Sequence, residues 1–309
     1  MNEIDDILQG IRHKDPRAIG RAISIVEEGD QRTEALLQML DEEKIQTSTI
    51  IGIAGSPGVG KSTLTDQLVS YYRRQGARVG IIAIDPSSPI SGGALLGDRI
   101  RMMRHTMDND VVIRSMSARG RLGGLCAAAG AATRIMACSG CSPVIVETVG
   151  IGQAESDVAN LADITVLVFA PGLGDDIQAM KAGLIEMADI VVVNKADCVG
   201  ADALAMELES VTHERTCPVY LTVATDAAGI EKLASTIRDI EQEKRHNGQF
   251  AEKRRKAREA EVLDWAIEMV RLKLKNRIES CSKQITGDPR TIARKLIEEI
   301  CDSQAGQQE

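Results

Sequence analysis

The spacing of apolar residues divides the chain into three stretches. Up to about residue 46, apolar positions recur every three or four residues: Ile4, Ile7, Leu8 and Ile11, then Ile19, Ala22, Ile23 and Val26, then Leu36, Leu37 and Leu40. That period sets each group on one face of a short helix. Asp15-Pro16 offers the second helix a cap and a first-turn proline, and Gly29 stops it. Such faces need a partner surface, so residues 1–46 are predicted to be a helical extension packed on the next domain.

From Thr49 the pattern changes to short runs of β-branched and aliphatic residues: Thr49–Ala54, Val79–Ile84, Val111–Met116, Val144–Val146, Ile164–Phe169, Ile190–Val193 and Val219–Val223. Most are continuous rather than alternating, as in strands buried on both faces. Helical patterns such as Leu64–Arg74, Leu125–Met136 and Leu204–His213 lie between them. The alternation predicts an α/β P-loop-type fold over residues 47–243, a doubly wound, mostly parallel sheet with right-handed crossovers. Its ligand should sit at the carboxyl ends of the strands. Beyond about Glu241 the runs cease. Leu263, Ile267, Val270, Leu274 and Ile278 continue at helical spacing, and Asp288-Pro289 caps a further helix with Ile292, Leu296, Ile297 and Ile300. Residues 244–309 therefore read as a helical module. Its apolar stripe either folds back on the sheet domain or meets a second copy of the chain, and periodicity does not choose between these.

Composition narrows the function. With 43% hydrophobic and 27% charged residues among 309, the chain matches an ordinary globular protein. Aromatics at 2% leave no stacking platform for single-stranded nucleic acid, and a formal charge of -8 disfavours phosphate-backbone binding. No nucleic-acid partner is expected. The acidic first ten residues lack the basic start and apolar core of a secretory signal, and no apolar run reaches membrane-spanning length, so no membrane association is expected. Seven scattered cysteines fit a reducing, cytoplasmic compartment.

The most specific local signal is Gly55-Ser56-Pro57-Gly58-Val59-Gly60-Lys61-Ser62-Thr63, placed between a strand and a helix as a P-loop requires. Its glycines let backbone N–H groups face a β-phosphate, Lys61 reaches β- and γ-oxygens, and Ser62 offers a hydroxyl to Mg²⁺. Position 56 is Ser, so the second signature lysine of dimeric P-loop ATPases is missing. Asn194-Lys195-Ala196-Asp197 closes a later strand run, and a carboxylate there can accept from both N1–H and N2–H₂ of guanine. This favours GTP/GDP over adenine nucleotides. Thr222-Val223-Ala224, after the last run, offers a backbone N–H to the guanine oxygen.

Between these motifs, Glu147-Thr148-Val149-Gly150 stands where many GTPases place Asp-x-x-Gly, so Glu147 is a candidate for holding Mg²⁺ through water and Gly150 for contacting the γ-phosphate. The alternative for Glu147 is a solvent-facing strand end. Gly150 is not followed by Gln, which leaves the water-orienting residue unidentified. Asp85, at the end of the second strand run, and Asp98, in the Gly-rich stretch 91–99, are metal-side candidates or else turn carboxylates bonding their own backbone. From Asp98 to Arg134 seven Arg stand against three Asp. This cluster reads as a solvated face, with an arginine finger the alternative. Cys138-Ser139-Gly140-Cys141 lacks the second ligand pair of a zinc site and reads as inert thiols.

Together with Asp-Pro-Ser-Ser-Pro at 85–89, Gly97-Asp98-Arg99 and the stretch 171–181 from Pro171 to Lys181, these motifs resemble the MeaB/ArgK group of G proteins across nearly the whole chain. The resemblance implies a GTPase chaperone of an adenosylcobalamin-dependent acyl-CoA mutase, typically methylmalonyl-CoA mutase, that gates cofactor loading and protects the enzyme. It implies phosphate and Mg²⁺ roles for Lys61 and Ser62, and metal-site roles for Asp85, Asp98 and Glu147. Asn194, Lys195 and Asp197 take the guanine roles, while Lys181 anchors an additional switch, switch III, at 171–181. It also implies a homodimer made through the C-terminal helical extension. The competing reading is a P-loop kinase acting on a transport protein or small molecule, which would need an acceptor pocket with a base beside the γ-phosphate.

Overall fold

The computed structural model describes residues 3–85, 103–105, 107–117, 124–148, 154–172, 183–213, 217–280 and 287–305. Seven strands form one parallel sheet: β1 (Ile50–Ala54), β2 (Val79–Asp85), β3 (Val111–Ser117), β4 (Val144–Thr148), β5 (Ile164–Phe169), β6 (Ile190–Asn194) and β7 (Val219–Thr222). Their order is β3-β2-β4-β1-β5-β6-β7. The apolar runs coincide with these strands, and every residue of β4, β5 and β6 is buried, which explains why the runs do not alternate. β4 extends two residues beyond its apolar run, because Glu147 pairs in register with Ile53 of β1 and Ala83 of β2.

The chain leaves β1 toward β2 on one side, while β5 flanks β1 on the other, so the topological switch falls at the carboxyl end of β1. Helices Lys61–Arg74 and Ile230–His246 cover one face of the sheet through Leu64, Leu68, Leu233 and Ile237. Helix Gly124–Cys138 covers the other, and the first two helices, Glu3–Arg12 and Pro16–Glu28, bury Ile4, Ile7, Leu8, Ile11, Ile19, Ile23 and Val26 against that layer. The second helix starts as its sequence predicts: Asp15 accepts from the Arg17 N–H at 3.0 Å, and Gly29 closes the helix at φ 66°.

Helix Gln249–Ser280 behaves differently along its length. Its first turns lie against the amino ends of β1 and β5. Phe250 is buried there, with the Arg245 and Arg254 guanidinium groups 3.8 and 4.4 Å from its ring centre. Arg254 donates from Nε and Nη2 to the two Asp163 carboxylate oxygens, both at 2.8 Å. Lys244 and Lys253 both pair with Asp189, at 2.5 and 3.3 Å. Further along, the predicted stripe faces solvent: Leu263 is 61% exposed, Ile267 46%, and Val270 and Ile278 43% each. The helix thus folds back on the sheet domain as far as Glu261, Trp265 and Glu268, while four of the five stripe positions stay exposed and Leu274 is half-buried.

The arginine cluster is not a uniform solvated face. Arg114 donates to Glu27 of the second helix, and Arg134 makes two hydrogen bonds, at 2.9 and 2.7 Å, to Glu261 of the long helix. These residues fasten both terminal segments to the sheet domain. Arg104 stays largely exposed, and Arg99, Arg101, Arg119 and Arg121 lie outside the described residues.

Candidate nucleotide-binding site

Gly55, Gly58 and Gly60 adopt φ values of 145°, 79° and 95°, conformations that L side chains avoid. At Gly55 a Cβ would also run into the Val168 carbonyl of β5, and at Gly60 into the side-chain amide of Asn194. The loop therefore lies tight on the carboxyl ends of the strands. Its curvature aims the start of helix Lys61–Arg74 outward, and Gly60 at the N-cap supplies no side-chain cap. The first-turn N–H groups and the positive end of the helix dipole are thereby presented to an anion.

Lys61 is buried and donates from Nζ to the carbonyls of Gly55 and Ser56, at 2.5 and 2.8 Å. Beside the loop is a cleft of about 280 Å³ lined by Gly58, Gly60, Lys61, Ser62, Thr63, Ala83, Ile84, Glu147, Thr148 and Lys195. Glu147 is 2% exposed, so it is no solvent-facing strand end. Its Oε2 accepts from the Thr65 hydroxyl at 2.6 Å. The Thr148 hydroxyl is buried and has no hydrogen-bond partner among the described residues, which leaves a polar group on the cleft wall.

The later motif reaches the same place through Asn194, which is 2% exposed at the end of β6. Its Nδ2 donates to the Val59 carbonyl at 2.8 Å, while its Oδ1 accepts from the Thr222 hydroxyl and the Ala224 N–H, both at 3.1 Å. One amide thus staples the P-loop to the loop after β7. Lys195, at φ 58°, donates from Nζ to the Gly58 carbonyl at 2.8 Å. Asp197 is exposed in the turn that follows. Val223 precedes the short 3₁₀ turn Ala224–Asp226, whose first residue is buried.

The structure therefore brings Lys61, Ser62, Glu147 and Lys195 to one cleft and joins Asn194, Thr222 and Ala224 behind it. Asp98, Gly150 and Lys181 lie outside the described residues, and so does the side chain of Asp85, whose backbone ends β2. Sequence reasoning passed over Thr65 because a lone helical threonine carries no local signal. Cys138 and Cys141 lie on helix Gly124–Cys138 and just after it; burial raises both thiols, Cys138 to about 11, which keeps them protonated and unreactive.

One prediction follows from the glycine geometry. Gly60→Ala would force a strained φ and displace Asn194, at a cost of about 1–3 kcal/mol. Nucleotide affinity, read by isothermal titration calorimetry, is expected to fall roughly tenfold to hundredfold. Wild-type affinity in this variant would refute the close fit of loop and amide.

The family model described as "Methylmalonyl Co-A mutase-associated GTPase MeaB" matches residues 19–283. A Pyrococcus horikoshii protein named as a GTPase, PH0274, is 45% identical over 271 residues, 85% of each chain. The mouse methylmalonic aciduria type A homolog, mitochondrial, is 32% identical over 274 residues, covering 81% of this chain and 66% of its own. A crystal structure titled as a LAO/AO transport system kinase superposes with a TM-score of 0.65 at 25% identity, covering 97% of this chain and 99% of that one. No helix among the described residues is long and apolar enough to cross a membrane. The chain belongs to the MeaB family of mutase-associated GTPases, with the P-loop GTPase fold and the guanine-nucleotide binding which that membership implies.

Proposed function

We propose that this GTPase binds GTP and GDP with Mg²⁺ in the cleft beside Lys61 and serves an adenosylcobalamin-dependent acyl-CoA mutase, methylmalonyl-CoA mutase first, by gating cofactor loading and protecting the loaded enzyme. The observation that carries the nucleotide reading is the convergence of Lys61, Ser62, Glu147 and Lys195 on one cleft, with Asn194 stapling the P-loop to the segment that would face the base. The client reading rests on family membership and on the name of the mouse relative.

The residues present fit a hard cation. Ser62 and Glu147 give the cleft a hydroxyl and a carboxylate, and Thr148 adds a hydroxyl that has no partner among the described residues. Mg²⁺ takes oxygen ligands and keeps waters and phosphates in its shell, which a hydroxyl and a carboxylate beside a phosphate loop suit. When bound, the ion neutralises charge on the β- and γ-oxygens. The chain's own part is positional. The P-loop N–H groups and the helix end hold the phosphates, Lys61 leaves the Gly55 and Ser56 carbonyls for them, and Ser62 and Glu147 orient the metal's oxygen shell. Asp85 and Asp98 are proposed for the same metal side, Gly150 for the γ-phosphate, and Lys181 for anchoring the segment 171–181.

The solvent-facing stripe Leu263, Ile267, Val270 and Ile278 is proposed as the homodimer surface. The division into a helical extension 1–46, a GTPase domain 47–243 and a dimerisation module 244–309 belongs to the same proposal.

The test is affinity purification with the mutase under GDP, a non-hydrolysable GTP analogue, or no nucleotide. Nucleotide-dependent retention, with faster GTP hydrolysis in the mixture, is the expected result. Equal retention in all three states and an unchanged rate would overturn the client reading. The name of the solved transport-system kinase favours a second reading, phosphotransfer, and label from [γ-³²P]GTP appearing on an added acceptor rather than as free phosphate would establish it instead.

A further inference from the structure

Thr65 stands three residues beyond Ser62 on the P-loop helix and is wholly buried. A helical threonine commonly turns its hydroxyl back to a carbonyl three or four residues earlier. Four others among the described residues do that: Thr47 to Glu43, Thr133 to Gly130, Thr212 to Leu208 and Thr236 to Lys232. Thr65 instead sends its hydroxyl across to the sheet, where it donates to Oε2 of Glu147 at 2.6 Å. A buried hydrogen bond from a hydroxyl to a carboxylate is of the strong, charge-assisted kind.

Glu147 has reason to need it. Register with Ile53 and Ala83 fixes its backbone, but the side chain carries one more rotatable bond than the aspartate more often found at this point. That extra torsion is one more degree of freedom for the contacts around the carboxylate, the Thr65 hydroxyl among them, to fix. Thr65 rises from the same helix as Lys61 and Ser62, so it ties the carboxylate to the element that carries the phosphate and metal donors.

We propose that Thr65 is a positioning residue for the metal side of the site, holding the Glu147 carboxylate in register with Ser62. This rests on the reading of Glu147 as a metal-side group. The experiment compares Thr65→Val, which keeps the shape and loses the hydroxyl, with Thr65→Ser, which keeps the hydroxyl. Its readout is the release rate of a fluorescent GDP analogue in Mg²⁺ and in EDTA, alongside the Mg²⁺ concentration for half-maximal GTP hydrolysis.

In the wild type, Mg²⁺ is expected to slow release. In Thr65→Val that slowing should shrink about tenfold or more, as is usual when a residue supporting a metal ligand is removed, and the half-maximal Mg²⁺ concentration should rise to match. Release in EDTA should match the wild type, and Thr65→Ser should recover most of the effect. A wild-type Mg²⁺ response in Thr65→Val would overturn the inference and leave the metal reading standing. Equal loss in both variants would also overturn it, since a packing role alone would then suffice. No Mg²⁺ effect in the wild type would remove the metal reading, and the inference with it. Should Thr65→Val not fold, Thr65→Ala, which puts no methyl group against the carboxylate, is held to the same outcomes.

Discussion

Asp197→Asn is expected to move nucleotide preference from guanosine to xanthosine. The carboxylate in the turn after β6 can accept from N1–H and N2–H₂ of guanine together. An Asn amide has one acceptor and one donor group, which match N1–H and the C2 oxygen of xanthine. Each hydrogen bond to a charged acceptor contributes about 1.5–3 kcal/mol, so losing the pair should weaken GTP binding by roughly a hundredfold to ten-thousandfold. The turn is well placed to discriminate in this way. The Ala196 N–H donates to the Thr222 carbonyl at 3.0 Å and the Cys198 N–H to the Lys195 carbonyl at 2.9 Å, so the backbone beneath Asp197 is held from both sides. Competition between GTP and XTP, followed by calorimetry on the wild type and the variant, measures the change. Retained guanosine preference in Asp197→Asn would place base recognition elsewhere.

The second large effect concerns stability. Asp163 is almost completely buried, and its carboxylate accepts from the Ile50 N–H at 2.8 Å as well as from Arg254 in a two-pronged pair. Arg254 also donates to the carbonyls of Ile45 and Ser48, at 2.8 and 2.6 Å. Removing the carboxylate alone leaves a largely buried guanidinium and the β1 N–H uncompensated, which typically costs about 3–5 kcal/mol. Asp163→Ala should therefore lower the midpoint of thermal unfolding by roughly 5–8 °C. Asp163→Asn, which still has an acceptor for Ile50, should do less harm. Differential scanning calorimetry on both variants decides, and a midpoint within about 2 °C of wild type in Asp163→Ala would show that the clamp contributes little.

Most of the sheet was legible because a strand buried on both faces leaves a continuous apolar run, and such runs mark all seven strands. The phosphate loop was legible for a related reason: its chemistry depends on backbone conformations that only closely spaced glycines supply. What stayed hidden depends on partners distant in sequence. Thr65 and Glu147 are 82 residues apart, and Arg134 and Glu261 are 127 apart. No local pattern announces such a pair. The arginine-rich stretch misled for the same reason, since charge density says nothing of the carboxylates that Glu27 and Glu261 bring to it. The long helix was legible as a helix, but only its packing divides it into a docked side and a bare stripe.

That division has a consequence for the molecule as a whole. Arg254 reaches from the long helix to the Ile45 and Ser48 carbonyls, while Arg245 reaches from the helix before it to that of Gln46, at 3.1 Å, so the segments that lead into and out of the sheet are tied together at the rim opposite the cleft. Trimming either end strips hydrogen-bond partners from the other, and the sheet cannot be excised cleanly as a minimal nucleotide switch. Any movement begun at the phosphate loop meets a braced base and has to be spent at the cleft end.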